Sequence, residues 1–161
     1  MRGANQNQVP DAPTRQDQWF VQASLLNPTG GNIMKHLGAF DKKSGGEVDS
    51  DDNKYYPGAV YVDGPISIGG RKTTGNLTLQ RIWDRDNDED CIQHLYDNVG
   101  KGRVRVSIRS KDEDGIANGK IFQYLGTLKR VSIPDFDSES GTAALMELEI
   151  IIAKYPTIVN G

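Results

Sequence analysis

Cysteine is almost absent from this chain: Cys91 is the single one in 161 residues, so no disulfide can close within it. Nothing in its cysteine usage argues for a secreted, disulfide-stapled scaffold. Long hydrophobic runs are also missing. The longest, the IIIA stretch beginning at Ile150, is strand-sized, whereas crossing a bilayer takes about 20 apolar residues. The opening MRGANQNQVPDAPTRQDQ has no apolar centre and does not read as a signal peptide. These absences lead us to expect a soluble chain made in the cytoplasm, with no membrane partner. Excess positive charge is lacking too. A net charge of −3 excludes a duplex binder that lives on phosphate neutralisation. Histidine is scarce, and neither His36 nor His94 has a second ligand at metal spacing.

What is present is glycine, 18 residues of it, beside 36% hydrophobic residues. That mixture suits a β-rich protein with many turns better than a helical bundle. The length fits one domain with a real core. Residues 1–17 are Asn-, Gln-, Pro- and Asp-rich and read as an N-terminal arm, disordered alone. Residues 18–161 read as a single domain. Its first apolar segment, WFVQASLL from Trp19, predicts a strand. Phe40 and residues 59–62 predict strands around a long polar loop, 41–58, and so long a loop inside a compact domain asks for a function.

Alternation carries the remaining strands. In GNLTLQRIW, Leu77 and Leu79 share one face while Asn76, Thr78 and Gln80 share the other. RVRVSIRS puts Val104, Val106 and Ile108 opposite Arg103, Arg105 and Arg109. Two turn signals, Asp114-Gly115 and Asn118-Gly119, predict a hairpin into IFQYLGTLKRVSI. The segment ALMELEIII sets Met146, Leu148 and Ile150 against Glu147 and Glu149. The terminal PTIVNG reads as a short tail.

One stretch, WDRDNDEDCIQHLYDN, carries alternating acids at Asp84, Asp86, Asp88 and Asp90. A calcium loop needs Gly at its sixth position and a closing Glu at its twelfth. Counting from Asp84, those positions hold Glu89 and Leu95; counting from Asp49, Lys54 and Val60. Both fail. A helix fits better: Ile92, Leu95, Tyr96 and Val99 form an apolar stripe. Asn87 or, by preference, Asp88 serves as N-cap, and Gly100 as the C′ glycine. Asp84 and Asp86 then stay in the loop. GGRKTTGN lacks the Gly before Lys-Thr that a phosphate loop demands, and a strand follows it. Cys91 flanks the stripe and reads as packing. The expectation is no catalytic residue, no cofactor and no metal.

Taken in order, GNLTLQRIWDRDNDED, GKIFQYLGTLKRVSIPDFDSES and ALMELEI resemble the tail tube, or major tail, proteins of long-tailed bacteriophages. The resemblance covers roughly residues 60–155. It implies a mainly β protein: a β-sandwich of antiparallel strands flanked by one α-helix. It implies that the inner sheet completes a ring-shaped β-barrel in the oligomer. Six copies would form a ring, and rings would stack into a tube in the virion tail, through which double-stranded DNA is ejected without sequence-specific binding. A tape measure protein and a tail terminator are the implied partners. By polarity, Asn76, Thr78, Gln80, Glu147 and Glu149 would line the lumen. Arg103, Arg105 and Arg109 would pair with those glutamates or face another subunit. Contacts between subunits or rings would fall on Trp19, Asp41, Lys42, Lys43, Glu47, Asp49, Asp51, Asp52, Lys54, Tyr55 and Tyr56. The same architecture admits the inner tube of a contractile injection or secretion device. A monomeric β-sandwich with a calcium-tuned acidic loop is the reading from another class.

Overall fold

A computed structural model describes residues 15, 17–27, 31–55, 66–112, 114–117 and 119–160, without the side chains of 52–55 and 66–68. Among them are ten strands and one helix. In chain order these are β1 (Trp19–Leu26), β2 (Ile33–Phe40), β3 (Lys42–Gly45), β4 (Val48–Tyr55), β5 (Ile66–Thr74) and β6 (Leu77–Ile82). Then come α1 (Arg85–Asn98), β7 (Arg103–Ser110), β8 (Ile121–Ser132), β9 (Leu145–Ile152) and β10 (Thr157–Val159). The protein is mainly β, with antiparallel pairing throughout.

The main sheet runs β2-β1-β7-β8-β9-β6-β3. Alternation gives every central strand one apolar face: Val21, Ala23 and Leu25 on β1, Val104 and Val106 on β7, Leu148 and Ile150 on β9, Leu77 and Leu79 on β6. All of these are buried in one cluster. One helix of 14 residues cannot cover so wide a face, so the sheet folds over and buries the apolar face against itself. The polar faces of the β1–β7 half and the β9–β6 half therefore look outward in different directions. The two end strands, β2 and β3, are joined by Asp41 alone. They form nearly one strand, whose first part pairs with β1 and whose second part pairs with β6.

The sequence expectation of a polar loop over 41–58 is overturned over its described part. It forms β3 and β4, which pair in continuous order with β6 and β5. The result is one long hairpin. Its base lies in the main sheet, and its outer half, β4–β5, is a separate two-stranded ribbon. The joint between the halves is Gly45-Gly46, with φ of 79° and 78°. A Cβ at Gly45 would sit 1.9 Å from the Asn76 carbonyl oxygen, so only glycine fits there. The expected tail at 156–161 is also corrected: Thr157–Val159 pair with β8, prolonging the line of β9. The strand expected at 59–62, most of the arm and the tip of the hairpin lie outside the described residues.

Candidate functional site

Among the described residues, three surfaces gather most of the polar side chains singled out by the sequence. The first is where α1 meets the sheet. Alternation along β6 places Arg81 on the same face as Leu77 and Leu79, toward the core. A guanidinium there needs a partner. It finds Asp88, whose side chain is only 1% exposed, in an ion pair. Arg81 also donates to the Leu37 carbonyl on β2, and its guanidinium lies 4.8 Å from the centre of the Phe40 ring. Asp88 is thus not the helix cap, contrary to the sequence expectation. The cap is Asp84, whose carboxylate accepts from Asp86 N at 3.1 Å and from Asn87 Nδ2 at 2.7 Å. Asp88 reaches back and accepts from Asp84 N at 2.7 Å. The helix starts one turn earlier than its acids suggest, because Asp88 was claimed by an arginine on the preceding strand. The buried stripe shifts accordingly to Asp88, Cys91, Leu95 and Asn98, leaving Tyr96 and Val99 exposed. Gly100, at φ 85°, follows the C-cap as expected. A cleft of about 490 Å³ runs between this helix start and β2. Among the described residues no group of three His, Cys, Asp or Glu side chains is placed to hold a metal ion.

The second surface is the outer face of β6 and β9. The structure brings Asn76, Thr78, Gln80, Glu147 and Glu149 together, with Thr78 opposite Glu149 and Gln80 opposite Glu147. Gln80 Nε2 donates to Glu147 Oε2 at 2.8 Å, and Asn76 Nδ2 to Glu149 Oε1 at 3.2 Å. From β8, Arg130 pairs with Glu147 and, at 3.3 Å, with Glu149; Lys129 adds a bond to Glu149 at 3.3 Å. The Asn76 hydrogen bond first, then that from Lys129, hold the Glu149 carboxyl below its ordinary range. The expectation that β7 arginines pair with these glutamates is wrong, because β8 stands between β7 and β9. Arg130 and Lys129 escaped the sequence reading because a bulge at Lys129 shifts the register. Exposed Ile82 and Leu145 face each other at one end of the network, and exposed Ile151 lies beyond the other.

The third surface is the hairpin with its surroundings. Trp19, Asp41, Lys42 and Lys43 line one groove of about 770 Å³ with Thr78 and Gln80. Asp41 is also used inside the subunit: its amide donates to the Gln80 carbonyl at 2.9 Å, and its carboxylate accepts from Ile82 N at 3.2 Å. Glu47 sits at the hairpin joint, where its carbonyl accepts from Gly75 N at 2.9 Å. Next to it the Tyr124 hydroxyl donates to the Gly46 carbonyl at 3.1 Å. Burial first, then the Glu47 carboxylate, push the Tyr124 phenol above its ordinary pKa. Asp49 and Asp51 stand exposed on β4. Asp52, Lys54 and Tyr55 lie on the same strand, and Tyr56 falls outside the described residues.

No family model and no curated protein matches the sequence. Solved structures do match in fold. The tube-terminating cap of the anti-feeding prophage aligns with a TM-score of 0.70 at 15% identity, covering 96% of each chain. The sheath–tube complex of an extracellular contractile injection system, in the extended state, aligns at 0.68 and 16% identity over 94% of each chain. The SPP1 tail tube aligns at 0.57 and 13% identity, covering 92% of this chain and 80% of that one. At these identities the likeness is one of fold. The chain has the tail tube fold over nearly its whole length. Among the described residues, no helix is long and apolar enough to cross a membrane.

Proposed function

We propose that this protein is a structural subunit of a tube, assembling as hexameric rings that stack head to tail. The observation that carries the reading is fold likeness to tube components over more than nine-tenths of the chain. Two features of the molecule support it. The β4–β5 ribbon leaves the main sheet and, as an isolated two-stranded ribbon, is marginally stable in water without a partner. Rings of subunits joined edge to edge would also cover open sheet edges, and a heterologous contact that closes gives a ring.

In this reading the outer face of β6 and β9 lines the channel. Its glutamates are already matched by Arg130, Lys129, Asn76 and Gln80. Such a wall presents little net field, so a passing polyanion is neither trapped nor strongly repelled. The conduit is then a phage tail that ejects double-stranded DNA, with a tape measure and a terminator as partners. The inner tube of a contractile injection device is the second reading. It is favoured by the higher TM-scores to extracellular contractile injection system chains, 0.68 and 0.69, against 0.57 for the SPP1 tail tube.

Electron microscopy of the purified protein tests the proposal. Rings or tubes of uniform width are expected. A chain that stays monomeric at high concentration overturns it. Native particles in which the tube sits inside a contractile sheath decide for the second reading.

A further inference from the structure

The charges on the molecule are not evenly satisfied. On β7 the outward positions hold Arg103, Arg105 and Arg109. Their cross-strand neighbours are Leu26, Ser24 and Phe20 on β1, with Thr127 and Leu125 opposite the first two on β8. None of these is acidic. Among the described residues the three arginines form no ion pair. The Arg109 Nε is buried and has no hydrogen-bond partner.

The ribbon has the opposite excess on one strand. Asp49 and Asp51 are exposed on β4 and form no ion pair among the described residues, and Asp52 follows in sequence. The basic residues of the ribbon's other strand, Arg71 and Lys72, lie on β5, and Lys72 is turned to the Tyr155 ring at 5.3 Å. The β4 ladder shifts register between Ser50 and Asp52, so Asp49, Asp51 and Asp52 form an acidic patch on an irregular stretch of strand, opposite in sign to the Arg103/Arg105 row.

We infer that the β7 arginine strip is the docking surface for the acidic β4 strand of a second copy of this chain. The inference rests on the tube reading and deepens it: it names the two surfaces that meet. Each copy carries both surfaces at different places, so the contact is head to tail. The pairing supplies carboxylates to guanidiniums that have none at home, and like-charge contacts disfavour the wrong register.

The test is charge reversal with assembly read by sedimentation and electron microscopy. R103E/R105E and D49K/D51K are each expected to lower polymer yield about tenfold or more, because reversal sets like charges face to face. An equimolar mixture of the two is expected to co-assemble, since every contact in an alternating array again joins opposite signs. Raising salt toward 1 M is expected to weaken wild-type assembly, as screening falls to about 3 Å. R103E alone, at an exposed position, repeats the test where folding is less at risk. Wild-type tubes that ignore all these reversals, or folded variants whose mixture stays apart, overturn the inference and leave the tube reading intact. Normal tubes from R103E/R105E that retain less duplex DNA overturn it in favour of a nucleic-acid surface. A wild-type chain that never polymerises overturns both.

Discussion

The long hairpin offers two regions made of the same two strands. Its base, β3 with β6, buries Leu77 and Leu79 completely and holds Arg81 against Asp88. Its outer half, β4 with β5, has a comparable antiparallel ladder but belongs to a sheet of two strands only. Backbone hydrogen bonds are present in both. Burial is what separates them, and burial rather than strand pairing supplies most of the net stability of a fold. The base is ordered by its own chain. Among the described side chains the ribbon contributes none to the core, which suits a segment whose remaining stabilisation comes from another subunit.

Substitutions at the base are expected to cost the most. Asp88→Ala leaves Arg81 buried without its countercharge and is expected to cost about 3–5 kcal/mol. Thermal unfolding should then show a midpoint lower by on the order of 10 °C. Next comes Leu79→Ala, which removes a fully buried side chain from the same strand and is expected to cost about 2–5 kcal/mol, read from denaturant midpoints. Replacing residues 48–74 with a short Gly-Ser turn should change the melting of the body by roughly 1 kcal/mol or less while abolishing polymerisation. Tubes of normal length from that variant would remove the ribbon from the assembly. Hydrogen exchange on the unassembled chain sharpens the same contrast: β4–β5 amides should exchange well before those of β6 and β9.

Two titrations give the smallest effects. The Glu149 carboxyl is held below its ordinary range in the folded chain. The stability it contributes is therefore present above the unfolded carboxylate pKa of about 4.3 and lost as pH falls through the folded value. Asn76→Ala should shrink that acid-side loss. Tyr124 is shifted the other way. Between about pH 10 and its raised folded pKa the native state binds the extra proton, so stability should fall as pH rises through that window. Ultraviolet titration with and without Tyr124→Phe checks this, the Tyr124 phenol ionising above the ordinary tyrosine pKa.

Sequence alternation made β1, β7, β8 and β9 legible, because each has one apolar face and a neighbour that buries it. It also grouped the five polar residues of the β6–β9 face, since strands put alternate residues on one side. It did not reveal β4. The segment VDSDDNKY has no apolar alternation, and its strand state depends on pairing with β5. β10 was missed for a similar reason: three exposed residues carry no pattern, only a partner. The helix cap moved because Asp88 answers to Arg81, not to its own helix. Arg81 sits in phase with Leu77 and Leu79, and that misplaced charge was the available signal.

The near-continuity of β2 and β3 has a mechanical consequence. The ribbon's first strand runs through β3 and Asp41 into β2, and its second runs into β6. A pull on the ribbon along its axis therefore enters the body along strands, not across them. The β2–β1 and β6–β9 ladders would be loaded in shear, with many bonds sharing the force at once, and none would be peeled open singly. A subunit anchored in this way can be held by its ribbon without unravelling from it.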